Sequence, residues 1–321
     1  MIKLKDINYE SIGVKGELFL VEDNQKEGFN FPYTLFIPKG VEENTSLIVE
    51  GANTGTSRND IKSAINDVID RCMDTMIIDA NKETRFPILT PCFPRIHTKE
   101  DGGIYTHMLT SESLSYKRFG LERIDNQLVN MIKNAEKLLK ERSINTDSKV
   151  ILDGFSASAK FVNRFALLHP EVVKLVIAGA CSGTGILPLK EINSEKLLYP
   201  IGTGNIDEIT ERQQKEFKNI KQFYYMGTLD PLDNDPLGER EDGTLISPSS
   251  ITKEESIQLY KFIGKKMIPD RWENFQKIYE DLGVNATFKT YEGYGHTPEP
   301  ALKDIEELLK QEIKIKTPSR R

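Results

Sequence analysis

Short apolar runs alternate with longer amphipathic runs along most of the chain. That alternation predicts an α/β architecture with a largely parallel sheet flanked by helices. Residues 18–21 and 33–37 read as two early strands, the second closed by Pro38-Lys39-Gly40. Residues 47–49 form the next strand and run into a turn-rich loop, Gly51-Ala52-Asn53-Thr54-Gly55. Ile61, Ala64, Ile65, Val68, Ile69 and Cys72 then recur at helical spacing. The stretch 76–90 holds two apolar runs, of which 86–89 is the better strand.

From Ile124, the positions Leu128, Ile132, Ala135 and Leu139 make one face of a long helix ending near Arg142. Val150-Ile151-Leu152 shows no alternation, as expected of a strand buried on both faces, and it stops at Asp153-Gly154. A helix through Phe161, Phe165 and Leu168 follows. Further strands fit 172–178, 223–226 and 286–291, and a closing helix fits 301–313. Two stretches interrupt this alternation, 183–219 and 231–266; the second is polar and rich in Gly, Pro and acid. Within one domain spanning 1–321 they read as cap-like insertions over the C-terminal edge of the sheet, where open α/β folds bind ligands. Residues 316–321 read as a frayed basic tail.

Composition narrows the class. The 321 residues are 38% hydrophobic and 8% aromatic, a globular balance. A formal net charge of −6 argues against a nucleic-acid partner or an anionic membrane surface. Cys72, Cys92 and Cys181 are widely spaced with no Cys-x-x-Cys pair, so neither a zinc site nor a disulfide framework is indicated. Residues 1–16 contain no signal-type apolar core, and no 18-residue apolar run occurs. The expectation is a soluble, reduced, cytoplasmic protein with no cofactor and no metal.

The strongest chemical signal is Asp153-Gly154-Phe155-Ser156-Ala157-Ser158-Ala159, where a buried strand breaks and a helix starts at once. A serine on such a turn is held in strained geometry with its hydroxyl facing outward. Its neighbours two before and two after must be small, because strand and helix pack closely there. Gly154 and Ser158 meet that need for Ser156, with Ser standing where the pattern G-x-S-x-G has its second Gly. Ser158 is a rival nucleophile, but in its register the small position falls on Lys160. A hydroxyl nucleophile needs a base, and the base needs an orienting acid. Met226-Gly227-Thr228-Leu229-Asp230 and Gly293-Tyr294-Gly295-His296 each follow a strand, in the chain order Ser, Asp, His.

These three segments resemble the α/β-hydrolase superfamily, in its esterase and depolymerase-like branches, and the resemblance covers nearly the whole chain. It implies Ser156 as nucleophile, Asp230 as acid and His296 as base. Asp230 lies three residues past Gly227, where the family's acid commonly sits; Asp233 and Asp235 are nearby alternatives. The implied oxyanion donors are the backbone amides of Ala157 and of the loop after the early central strand, with Ala52 first and Asn53 second. The family often has His-Gly in that loop, whereas this chain has Glu50-Gly51. The expected partner is a small-molecule acyl substrate, with no membrane span and a homo-oligomer as an admissible state.

Competing readings attach to the same residues. The cluster Asp230, Asp233 and Asp235 lacks the spacing and glycine of an EF-hand loop, so a solvated acidic loop is preferred over a calcium site. His97 and His107 precede the serine in the chain and read as surface or structural residues, His169 as a helix-end residue, and Trp272 as a packing residue. Ester hydrolysis is the expected reaction. Acyl transfer or peptide cleavage on the same residues, and a non-catalytic binding protein of the same fold, are the alternatives.

Overall fold

The structure is a computed structural model that describes residues 1–11, 13–52, 60–100, 102–232, 238–239, 245–246 and 251–316. Its centre is a nine-stranded sheet of β1 (Ile2–Tyr9), β2 (Val14–Val21), β3 (Tyr33–Pro38), β4 (Ile48–Glu50), β5 (Ile88–Pro91), β6 (Val150–Phe155), β7 (Val173–Gly179), β8 (Lys221–Gly227) and β9 (Ala286–Tyr291). The spatial order is β1-β2-β3-β5-β4-β6-β7-β8-β9. The first strands pair antiparallel, β1 on β2, β2 on β3 and β3 on β5. From β5 onward every pairing is parallel.

The helices needed to read the site are α1 (Ile61–Arg71), α2 (Met76–Ala80), α3 (Ile124–Lys140), α4 (Ala157–Leu168), α5 (Glu211–Asn219), α6 (Lys253–Phe262), α7 (Trp272–Asp281) and α8 (Leu302–Lys316). Their starts are written in the sequence. The Asp60 side chain accepts from the Ser63 amide to cap α1, and Thr210 and Thr252 form capping boxes with Gln213 and Glu255. The apolar stripe on α3 buries Leu128, Ile132, Ala135 and Leu139. Helices α3, α4 and α7 share one core with that face of the sheet, and α2 and α8 share a second with the other face. No helix among the described residues is long and apolar enough to cross a membrane.

The predicted strands and helices stand within a few residues of their expected places, with three differences. Residues 86–89 do not all enter the sheet: the Asn81 side chain accepts from the Phe86 amide and donates to its carbonyl, so Phe86 is tied into a loop and the strand begins at Ile88. The other apolar run of that stretch is α2. At the N-terminus β1 is a strand whose burial pattern is almost wholly exposed, because it lies at the sheet edge. An edge strand needs no buried face, and so it leaves no apolar alternation to read.

Segment 183–219 packs against the core through Leu187, Leu197, Tyr199 and Ile201, and its Leu198 amide donates to Gln258 Oε1 on α6. Much of 231–266 lies outside the described residues. The Trp272 ring is buried within an aromatic cluster with Phe275 and Phe288, and its Nε1 donates to Thr290 Oγ1.

Candidate active site

Strands β4 and β6 are neighbours, but the chain steps outward from β4 to β5 before returning to β6. That reversal leaves a crevice at the C-terminal ends of the two strands, the usual ligand position in an open α/β sheet. Ala52 follows β4 and Ser156 follows β6, so both stand at this point. The Gly51 amide donates to the Asp153 carbonyl at 2.8 Å, which ties the loop carrying Ala52 to the strand carrying Ser156.

Ser156 sits at φ 63° and ψ −119°, a conformation that non-glycine residues rarely adopt. Such a residue stores of order 1–3 kcal/mol and persists only where its surroundings over-determine it. The surroundings here are specific. The Ser156 amide donates to the Gly179 carbonyl on β7 at 2.8 Å. A Cβ at Gly154 would stand 2.5 Å from the Ser158 carbonyl oxygen, so strand and helix approach too closely for any side chain there. The Ser158 hydroxyl accepts from the Phe155 amide at 2.9 Å and donates to the Phe155 carbonyl at 2.8 Å. Ser158 is buried, whereas Ser156 is half-buried with its hydroxyl making no hydrogen bond among the described residues. Ala157 opens α4, where backbone amides are free of helical partners.

Asp230 and His296 come together from loops after β8 and β9. His296 Nδ1 lies 2.8 Å from Asp230 Oδ2, and Asp230 Oδ1 accepts from the Leu232 amide at 2.9 Å. The two loops are laced to each other: the Leu229 amide donates to the Tyr294 carbonyl at 2.8 Å and the Gly293 amide to Thr228 Oγ1 at 2.9 Å. Gly227 allows this approach, because a Cβ there would collide with the Tyr294 carbonyl. The Asp230 side chain is 1% exposed and the His296 side chain 15%, so the acid is sealed and the imidazole reaches the surface. Ring centroids of His296 and Phe155 are 4.8 Å apart, which sets the imidazole beside the turn that carries Ser156.

The remaining candidates fall elsewhere. Asn53, Asp233 and Asp235 lie outside the described residues. His97 is exposed on a short strand. His107 is buried, and burial together with the Arg95 and Lys160 charges pushes its pKa down to about 3, so it is neutral at ordinary pH. His169 follows α4 and pairs with the fully buried Asp125 at 2.9 Å. All three cysteines are buried, and none is in a disulfide among the described residues. Among the described residues no group of three or more His, Cys, Asp or Glu could hold a metal ion.

One pair was not foreseen from sequence as a unit. Glu50 and Asp153 face each other across β4 and β6, both buried, with their carboxyl groups hydrogen-bonded. Burial, then the Asp153 charge and the shared bond, raise the Glu50 pKa well above the carboxylate range; burial also raises that of Asp153. The pair therefore holds a proton near neutrality. The visible signal was Glu50-Gly51 at the loop where the resembled family often has His-Gly.

No protein-family model matches the chain, and no curated protein is similar to it in sequence. Solved structures are similar in fold. Poly(aspartic acid) hydrolase-1 from Sphingomonas sp. KT-1 superposes with a TM-score of 0.57 at 16% identity, covering 92% of this chain and 98% of that one. The poly(3-hydroxybutyrate) depolymerase from Bordetella parapertussis gives 0.52 at 15% identity over 96% and 92%. The S-formylglutathione hydrolase from Agrobacterium tumefaciens gives 0.50 at 10% identity over 98% and 99%. With the sheet order described above, the fold is the α/β-hydrolase fold.

Proposed function

We propose that this chain is a serine hydrolase of carboxylic esters, with Ser156 as nucleophile, His296 as base and then acid, and Asp230 as the carboxylate that orients the imidazole. The observation that carries the reading is the 2.8 Å approach of His296 Nδ1 to Asp230 Oδ2, at the sheet edge that also bears the strained Ser156.

With Nδ1–H donated to Asp230, Nε2 carries a lone pair and takes the Ser156 proton. Ser156 Oγ bonds to the ester carbonyl carbon, and the carbonyl electrons move onto oxygen. The amides of Ala157 and Ala52 receive that oxyanion; one such donor is worth about 3–4 kcal/mol of barrier. Collapse of the adduct expels the alcohol, which takes the proton from Nε2. Water then attacks the acyl-enzyme with His296 again as base; the Ser156 Oγ–acyl bond breaks, Oγ takes the proton back from Nε2, and the acid leaves. The cap-like role, shaping the acyl pocket, falls in this reading to segment 183–219; much of 231–266 lies outside the described residues.

A fluorophosphonate probe should label the wild-type protein and leave Ser156→Ala unlabelled; equal labelling of both overturns the assignment. Product analysis in the presence of an added alcohol separates hydrolysis, which yields only free acid, from acyl transfer, which yields the new ester.

A further inference from the structure

Beside the elbow lies a cavity of about 480 Å³, within the range of small-molecule sites. Its walls include Ala52, Phe155 immediately before Ser156, and Pro298 two residues after His296; Ser156 and His296 themselves are outside the lining. Glu50 and Asp153 form its floor, and Asp67 and Asp74 join them. Glu50 and Asp153 are buried, Asp67 is half-buried and Asp74 is exposed, so carboxyl groups run from floor to mouth. Among the described residues the lining has one cation, Arg71, exposed at the rim. The other titratable neighbours among the described residues, Cys72 from the end of α1 and Tyr225 from β8, both have pKa values raised by burial and are neutral near pH 7.

Glu50 Oε2 is buried and has no hydrogen-bond partner among the described residues. A buried polar atom without a partner costs of order 1–3 kcal/mol, and native structures rarely leave one without a use. An oxygen of the pair that does not carry the shared proton only accepts, so what is missing is a donor, and two buried carboxyl groups able to lose that proton suit a positively charged one.

We propose that this cavity is a subsite for a primary ammonium group carried on the ester substrate, with Glu50 and Asp153 as its counter-charge. The proposal rests on the esterase reading above. Entry of the ammonium ion adds one positive charge; the pair answers by releasing its shared proton to solvent, leaving two carboxylates facing one cation. Binding therefore strengthens as pH rises from about 5 to 8, where losing that proton becomes easier.

Two arms test this. The first compares p-nitrophenyl 6-aminohexanoate with p-nitrophenyl heptanoate, which replaces the ammonium by a methyl group, and with the anionic mono-p-nitrophenyl adipate. The expected result is kcat/KM at least tenfold higher for the amino ester than for the heptanoate, with the adipate lowest. The ratio should fall to near one in Glu50→Gln and by a smaller factor in the rim variant Asp74→Asn, which lies on the surface and leaves folding intact. A ratio of one or below in the wild type overturns the substrate subsite. The second arm measures binding of hexylammonium by calorimetry in buffers of different ionisation enthalpy, using wild type and Ser156→Ala. Binding with proton release supports the site whether or not any ester is cleaved; no binding up to tens of millimolar overturns it. Binding without a preference for the amino ester makes the cation a free ligand and overturns its place on the substrate. Failure of every ester together with binding sinks the esterase reading alone.

Discussion

The Ser158 hydroxyl closes a small ring with Phe155, accepting from its amide at 2.9 Å and donating to its carbonyl at 2.8 Å. A glycine at this position would satisfy the packing limit, yet it would leave both backbone groups of Phe155 without these partners. Serine thus does in this chain what bare backbone packing does elsewhere: it pins the residue before Ser156, and with it the strained turn.

Removing that brace has a definite cost. Ser158→Ala should lose about 1–2 kcal/mol of stability, from two backbone groups left without side-chain partners. The midpoint in a urea titration measures this. Fluorophosphonate labelling should persist in the variant, since Ser158 is spent on the backbone; loss of labelling in a folded Ser158→Ala would reopen its claim as nucleophile.

Asp230→Asn tests the acid by tautomer and not by shape. An amide retains an oxygen for the Leu232 amide, which Asp230 Oδ1 now receives. Its NH₂ group then faces His296 Nδ1 and forces the ring proton onto Nε2, where the base needs a lone pair. If the three residues act as the proposed triad, the change should lower kcat by about 10⁴-fold. Steady-state kinetics with a p-nitrophenyl ester should show that loss with KM little altered.

Gly227→Ala should act at a distance from the substrate. The new methyl group would collide with the Tyr294 carbonyl and push the loop that carries His296. A displacement near 1 Å at such a position typically costs about 10²-fold in rate. The fall should appear in kcat, and circular dichroism should show an intact fold; unchanged kcat would mean the loops adjust without moving the imidazole.

The Glu50–Asp153 pair predicts the pH dependence of stability. Both carboxyl pKa values are raised in the folded state, by burial first and, for Glu50, by the neighbouring Asp153 charge; that of Asp153 is raised to about 6. Between the unfolded value near 4 and the folded values, the native state binds more protons than the unfolded chain. Stability from this pair is therefore full at about pH 4 and falls as pH rises through 6 and beyond. Glu50→Gln, which removes the titrating group and keeps its shape, should flatten that decline and be about 1–3 kcal/mol more stable than wild type at pH 8. Chemical denaturation at pH 5 and pH 8 measures both; an equal pH slope in the two proteins would count against a shared proton.

The chain's own pattern determined a good deal. Unbroken apolar runs at 150–152 and 175–178 and the helical stripe from Ile124 specify a buried parallel sheet with packed helices, because burial on both faces removes alternation and burial on one face imposes it. The same local logic placed Ser156 on a strand-to-helix turn and set an acid and a histidine just past later strands. What sequence could not decide were relations between segments far apart in the chain. The meeting of Asp230 with His296 spans 66 residues and depends on two loops interlocked over Gly227. Phe86 left the sheet because Asn81 holds its backbone, and β1 joined it with almost nothing to bury. The Glu50–Asp153 pair came from strand register, which sets two acids side by side that read, in the linear chain, as the separate ends of two apolar runs. Periodicity reports how each segment meets the core, and the fold alone decides which segment ends face one another.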